Sequence, residues 1–154
     1  MAKMGLSVRD DPKRVVNPEL RQWGQTVDGF ALSVESVLLR EDRGVMSNLS
    51  VVLRNVGDET KSLTVPGWLF FFHVDLTGPD GQPVSMSPFG SELLKPSRKT
   101  ERIAATLPPG GLTETQIPLG SIFGMRAPGD YRASAWCELP GGSILRSNSI
   151  SITV

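Results

Sequence analysis

The chain of 154 residues contains one cysteine, Cys137, and one histidine, His73. A single cysteine excludes an internal disulfide and leaves the redox compartment unmarked. One Cys and one His cannot supply the three or four clustered ligands of a zinc site. A Ser-His-Asp or Cys-His nucleophile system would have to run through His73. Asp75 shares its strand face two residues on, yet no G-x-S-x-G motif accompanies the pair. Calcium loops need several carboxylates; "GPDGQ" offers only Asp80, and "NVGDE" only Asp58 and Glu59. The expectation is a non-enzymatic chain, with no residue assigned as catalytic, metal-ligating or cofactor-binding, and no cofactor.

Net charge is also missing. Sixteen basic residues balance sixteen acidic ones, and no basic stripe marks a nucleic-acid partner. No apolar stretch approaches the length needed to span a membrane as a helix. The start, "MAKMGLSVRDDPKRVV", lacks the apolar core of a signal peptide. Its two nearby methionines suggest a short start sequence in place of a removed leader. That reading puts a secreted or periplasmic location slightly ahead of a cytoplasmic one.

What the chain does have is punctuation. Sixteen glycines and twelve prolines fall largely between apolar runs, the pattern of an all-β chain. Residues 1–22 show no sustained period and read as an extended or disordered N-terminal arm, in which "NPEL" can form one helical turn. The body, 23–154, reads as one domain. In "DGFALSVES", Phe30, Leu32 and Val34 alternate with Ala31, Ser33 and Glu35; Leu49, Val51 and Leu53 alternate in the same way in "MSNLSVVLRN". Further strands follow at "KSLTV", at about 68–77, at "ERIAATL", "TETQIPLG" and "YRASAWCEL", and in the closing "SILRSNSISITV". "NVGDET", "GPDG", "PPGG" and "PGG" are turns. About eight or nine strands with turns every 8–12 residues predict two packed antiparallel sheets, a β-sandwich with Greek-key connections.

One stretch resists simple alternation. "WLFFFHVDL" opens with five apolar residues. Read as a strand, its parity puts Phe70, Phe72, Val74 and Leu76 in the core, with Leu69, Phe71, His73 and Asp75 on the other face. Something must then cover Leu69 and Phe71, with Trp68 beside them. Three covers are open: the irregular 88–100 segment with Phe89, Leu93 and Leu94, a partner or second copy of the chain, or a ligand. Parity in "YRASAWCEL" turns Tyr131, Ala133, Ala135, Cys137 and Leu139 inward, and Trp136 outward with Arg132 and Ser134. The candidate contact surface is therefore Trp68, Leu69, Phe71 and Trp136.

"WGQTVDGFALSVES", "LSVVLRNVGDETKSLTV", "VDLTGPDGQPV", "PGDYRASAWCELPGG" and "SNSISITV" follow one another in an order that resembles bacterial immunoglobulin-like sandwich domains. The middle and the "PG-x-Y" step are also similar to the bacterial intracellular proteinase inhibitor family. The first resemblance implies an immunoglobulin-like sandwich, with Tyr131 at a strand start as in a tyrosine corner. The chain departs from antibody-type domains in having no disulfide pair. The expected function is a non-catalytic module for protein binding or structural support, with another protein or a second copy as partner. The alternatives are a proteinase inhibitor acting through an exposed loop such as 88–100, and a carbohydrate-binding module using Trp136 or Trp68.

Overall fold

A computed structural model gives the fold and describes residues 16–41, 44–95 and 102–154. Among these lie eight strands: β1 (Phe30–Glu41), β2 (Gly44–Asn55), β3 (Lys61–Val65), β4 (His73–Thr77), β5 (Ile103–Leu107), β6 (Leu112–Ile117), β7 (Asp130–Glu138) and β8 (Ile144–Thr153). They pair into three antiparallel sheets, in the orders β1-β2-β6, β3-β5 and β4-β7-β8. The chain is mostly β, as the alternation predicts, but among the described residues its hydrogen-bonded sheets number three rather than two. The "PPGG" turn explains part of this. It carries the chain from β5, paired with β3, to β6, paired with β2.

The period-two residues do what their spacing requires. Leu32 lies opposite Leu53, and Val34 opposite Val51; all four are buried, in one core cluster with Leu63, Leu76, Leu107, Ile117, Ala133 and Ile152. Each such aliphatic side chain contributes about 1.5–3 kcal/mol on burial. Cys137 is buried among them, and desolvation pushes its thiol up to about 12. The Tyr131 hydroxyl donates to the Ala127 carbonyl at 2.6 Å.

Asn55 closes the "NVGDE" turn from inside. Its Nδ2 donates to the carbonyls of Glu59 (2.7 Å) and Leu107 (2.9 Å), and its Oδ1 accepts from Gly57 N–H (2.9 Å). One buried amide thus ties the end of β2 to the end of β5.

The second face of β1 and β2 is buried too. Ala31, Ser33, Ser50 and Val52 are all inaccessible there, and the described part of the N-terminal arm lies on that face. Pro18–Leu20 forms a single 3₁₀ turn capped by Asn17, as "NPEL" suggests. Arg21 follows and is buried. Its Nε donates to Ser33 Oγ (3.0 Å), Nη1 to Ser50 Oγ (3.2 Å), and Nη2 to the Ser50 carbonyl (3.0 Å). Glu35 stands 3.6 Å from Nη1, and Ser50 Oγ also donates to the Glu114 carboxylate. The guanidinium fork suits a site offering several oxygens in fixed directions. Gly24 then slots between β1 and β8: its N–H donates to the Leu32 carbonyl at 3.0 Å. A Cβ on Gly24 would lie 2.0 Å from the Arg146 carbonyl oxygen, so only glycine fits. Residues 1–15 of the expected arm lie outside the described residues.

The strand expected over 68–77 begins only at His73. Trp68–Phe71 is one helical turn, α1. Pro66-Gly67 ends β3, and Gly67, at φ 115°, takes a backbone conformation that side-chain-bearing residues avoid. Its carbonyl accepts from Phe70 and Phe71, and the Trp68 carbonyl accepts from Phe72. The turn gathers three rings: Trp68 stacks on Phe72 (5.6 Å) and meets Phe71 edge-on (5.7 Å), while Phe71 and Phe72 lie 5.1 Å apart. A strand would send residues 71 and 72 to opposite faces; here both are in the core. Phe70, expected in the core, is only half-buried.

Two further helical turns replace expected strand or irregular chain. Pro88–Leu93 is α2, with Ser87 as N-cap accepting from Gly90 N–H at 3.0 Å and Pro88 at its first position. Leu119–Ile122 is α3, starting where Pro118 ends β6. The two helices pack closely at Gly90, where a Cβ would lie 2.2 Å from the Ile122 carbonyl oxygen. Ser87 Oγ donates to the Ser121 carbonyl at 2.6 Å across the same contact. Residues 96–100 of the irregular segment lie outside the described residues. Among the described residues no helix is long and apolar enough to cross a membrane.

Candidate functional site

The three helical turns surround an apolar groove of about 300 Å³. Its walls come from far apart in the sequence. Leu69 and Phe70 of α1 lead into Phe72; His73 and Val74 begin β4; Met86 precedes α2, and Leu94 follows it. Ile117 ends β6, and Ile122 and Phe123 close α3. The floor, Phe72, Ile117, Ile122 and Phe123, is buried in the core. The rim is not: Met86 is 45% exposed, and Phe89, the second residue of α2 and three positions on from Met86, is 57% exposed outside the groove lining.

His73 is the one polar side chain among the lining residues. It stacks on Trp136, its partner across the β4–β7 ladder, with ring centroids 4.2 Å apart and planes at 18°. The pair makes an aromatic shoulder at the β4 end of the groove. An apolar cavity with one polar group at its edge is suited to an apolar side chain or small apolar group, and its size lies at the lower end of ligand pockets. Among the described residues no cluster of three or more His, Cys, Asp or Glu could hold a metal ion.

The expected contact residues separate in the structure. Leu69 lines the groove. Trp68 is half-buried against Phe71 and Phe72. Phe71 is 8% exposed and packs into the core, because α1 turns it inward where a strand would not. Trp136 is half-buried and faces His73. Leu93 and Leu94 of the 88–100 segment pack against the core cluster that contains Phe71, and residues 96–100 lie outside the described residues. The described part of that segment forms α2, which brings Leu94 to the groove and leaves Phe89 to solvent.

Sequence reasoning missed Met86, Ile117, Ile122 and Phe123 as one site. Local signals existed for the helical turns. Ser87-Pro88 is an N-cap followed by a first-position proline, and Leu119, Ile122 and Phe123 are spaced i, i+3, i+4. Nothing local tells that Ile122 of α3 and Val74 line one groove. No known family model matches the chain, and no curated protein is significantly similar to it.

Proposed function

We propose that this chain is a non-catalytic immunoglobulin-like β-sandwich that binds another polypeptide through the groove between β4, α2 and α3. The observation that carries the binding reading is the groove itself: a buried apolar floor with Met86 exposed at its rim, and Phe89 exposed three residues further along the chain. Exposed large apolar side chains beside an apolar cavity are a feature of contact sites, in which one anchor fills a pocket. The sandwich reading is supported by the shared core of the three sheets and by the amide of Asn148, which joins β8 to β1. The immunoglobulin-like reading is supported by the Tyr131 hydroxyl bonding a carbonyl four residues upstream.

A photo-crosslinking residue at position 89, introduced into the full chain in the cells that natively make it, tests the binding. The expected result is a discrete crosslinked polypeptide, either a different protein or a second copy of this chain. It should disappear when Leu94→Asp charges the groove of a protein that remains folded. No crosslink, or one indifferent to Leu94→Asp, would overturn the reading.

A further inference from the structure

Among the described residues, the outer edge of β4 is only half covered by backbone of the same chain. After the turn at Pro79–Gly81, Gly78 N–H donates to the Gln82 carbonyl and Val84 N–H to the Leu76 carbonyl, each at 2.9 Å. Backbone groups along an antiparallel strand alternate sides, so outward groups at Leu76 and Gly78 place those of Val74 outward as well. A separate bond supports the same parity. Ala135, opposite Val74 on β7, sends its N–H the other way, to Ser147 Oγ at 2.8 Å.

Beyond Val84 the chain leaves the edge. Ser87 N–H donates to the Ile122 carbonyl (2.8 Å), and Gly124 N–H to the Ser85 carbonyl (3.1 Å). Met86, between Ser85 and Ser87, therefore turns its own N–H and carbonyl away from α3 and back toward β4. Among the described residues no backbone bond joins Met86 to Val74. The ladder closed at Leu76–Val84 is open at Val74–Met86, and both of these residues line the groove.

Open strand edges pair with other strands, and a peptide backbone carries the matching donors and acceptors. We infer that the occupant of the groove is an extended peptide segment that adds to the β4 edge. Its backbone bonds the N–H and carbonyl of Val74, with those of Met86 at the opposite wall. One large apolar side chain of the segment enters over Phe72, Ile117 and Ile122. This inference rests on the polypeptide-binding reading and specifies its mode. Main-chain bonds supply affinity, and the apolar floor selects the side chain.

The free protein gives the first test. Backbone amide exchange followed by NMR should find Val74 and Met86 fast. Asp75, whose parity turns it toward β7, should be at least a hundredfold slower. A protected Val74 amide in the free chain would overturn the inference. The second test uses a phage library of random heptapeptides against the full chain, with selected peptides resynthesised carrying single backbone N-methyl groups. Binding should fall tenfold or more on N-methylation at one or two alternate positions, and also on Met86→Asp. Val74→Pro should weaken it similarly without unfolding the chain, because that N–H is outside the β4–β7 ladder; the N-methyl series decides if this variant does not fold. Peptides that need Met86 but tolerate every N-methyl group would overturn strand addition and leave the polypeptide-binding reading standing. Peptides indifferent to Met86→Asp, or an empty selection, would overturn both.

Discussion

Asn148 on β8 pairs with Val34 on β1 through both ends of its side-chain amide. Oδ1 accepts from Val34 N–H at 2.8 Å, and Nδ2 donates to the Val34 carbonyl at 3.1 Å. The amide thus acts as a one-residue strand on the β1 edge. A bulge in β8 allows this. Ser134 pairs with Ser149, but Trp136 pairs with Arg146, so β8 carries an extra residue there. Ser147 Oγ meanwhile takes the Ala135 N–H. "SN" in "RSNSISITV" is a pair of side chains standing in for backbone where two sheets meet.

Removing that amide strands a buried donor and acceptor. Asn148→Ala should cost about 2–4 kcal/mol, measured by urea denaturation. Asn148→Asp should be as costly at neutral pH, because a carboxylate cannot donate to the Val34 carbonyl. Once protonated it can donate. Since the folded state disfavours the charged form, the deficit should shrink as pH falls toward about 4.

Arg21 anchors the arm to the second face of β1 and β2. Arg21→Ala should cost about 3 kcal/mol in a thermal or urea melt, through lost charge-assisted bonds to buried oxygens. Arg21→Lys should recover little, because an ammonium cannot reproduce bonds from three nitrogens of a planar fork. A loss within about 0.5 kcal/mol, as for an ordinary surface residue, would show that the arm is not held by this side chain.

The three phenylalanines of α1 and its C-cap should separate by burial. Phe71→Ala and Phe72→Ala should each cost about 3–5 kcal/mol, by lost transfer energy plus a cavity. Phe70→Ala should cost clearly less, because Phe70 is only half-buried at the groove. Continuous strand from residue 68 requires a different ranking, Phe70 with Phe72 and Phe71 apart. Urea melts of the three variants distinguish the two arrangements.

Cys137 should resist thiol reagents in the native protein at pH 8, since burial keeps the thiol neutral up to about 12. The unfolded chain ionises near 9.0, so between 9 and 12 the native state holds a proton that the unfolded state has released. Stability from this group is complete below 9 and is lost as pH rises through 12, by up to about 1.4 kcal/mol per pH unit. Cys137→Ala should lose that part of the alkaline dependence when melts are compared from pH 8 to pH 11.

Much of this protein is decided locally and can be read from residue order. Phe30, Leu32 and Val34 in β1, and Ala133, Ala135 and Cys137 in β7, face inward because successive strand side chains point to opposite sides. "GPDG" turns because Asp80 and Gly81 suit the geometry, and Asp80 accepts from Gln82 N–H at 3.0 Å. The tertiary structure decided what local order leaves open. A short apolar run satisfies helix and strand patterns alike, and "WLFF" becomes helical where that turn lets Phe71 and Phe72 share the core with Trp68 packed against them. The polar face of β1 is buried because Arg21, a dozen residues upstream, brings donors to Ser33 and Ser50. The groove exists because Val74, Met86 and the 117–123 stretch converge from three separate parts of the chain. Such convergence follows from how sheets pack, and no period in the sequence encodes it.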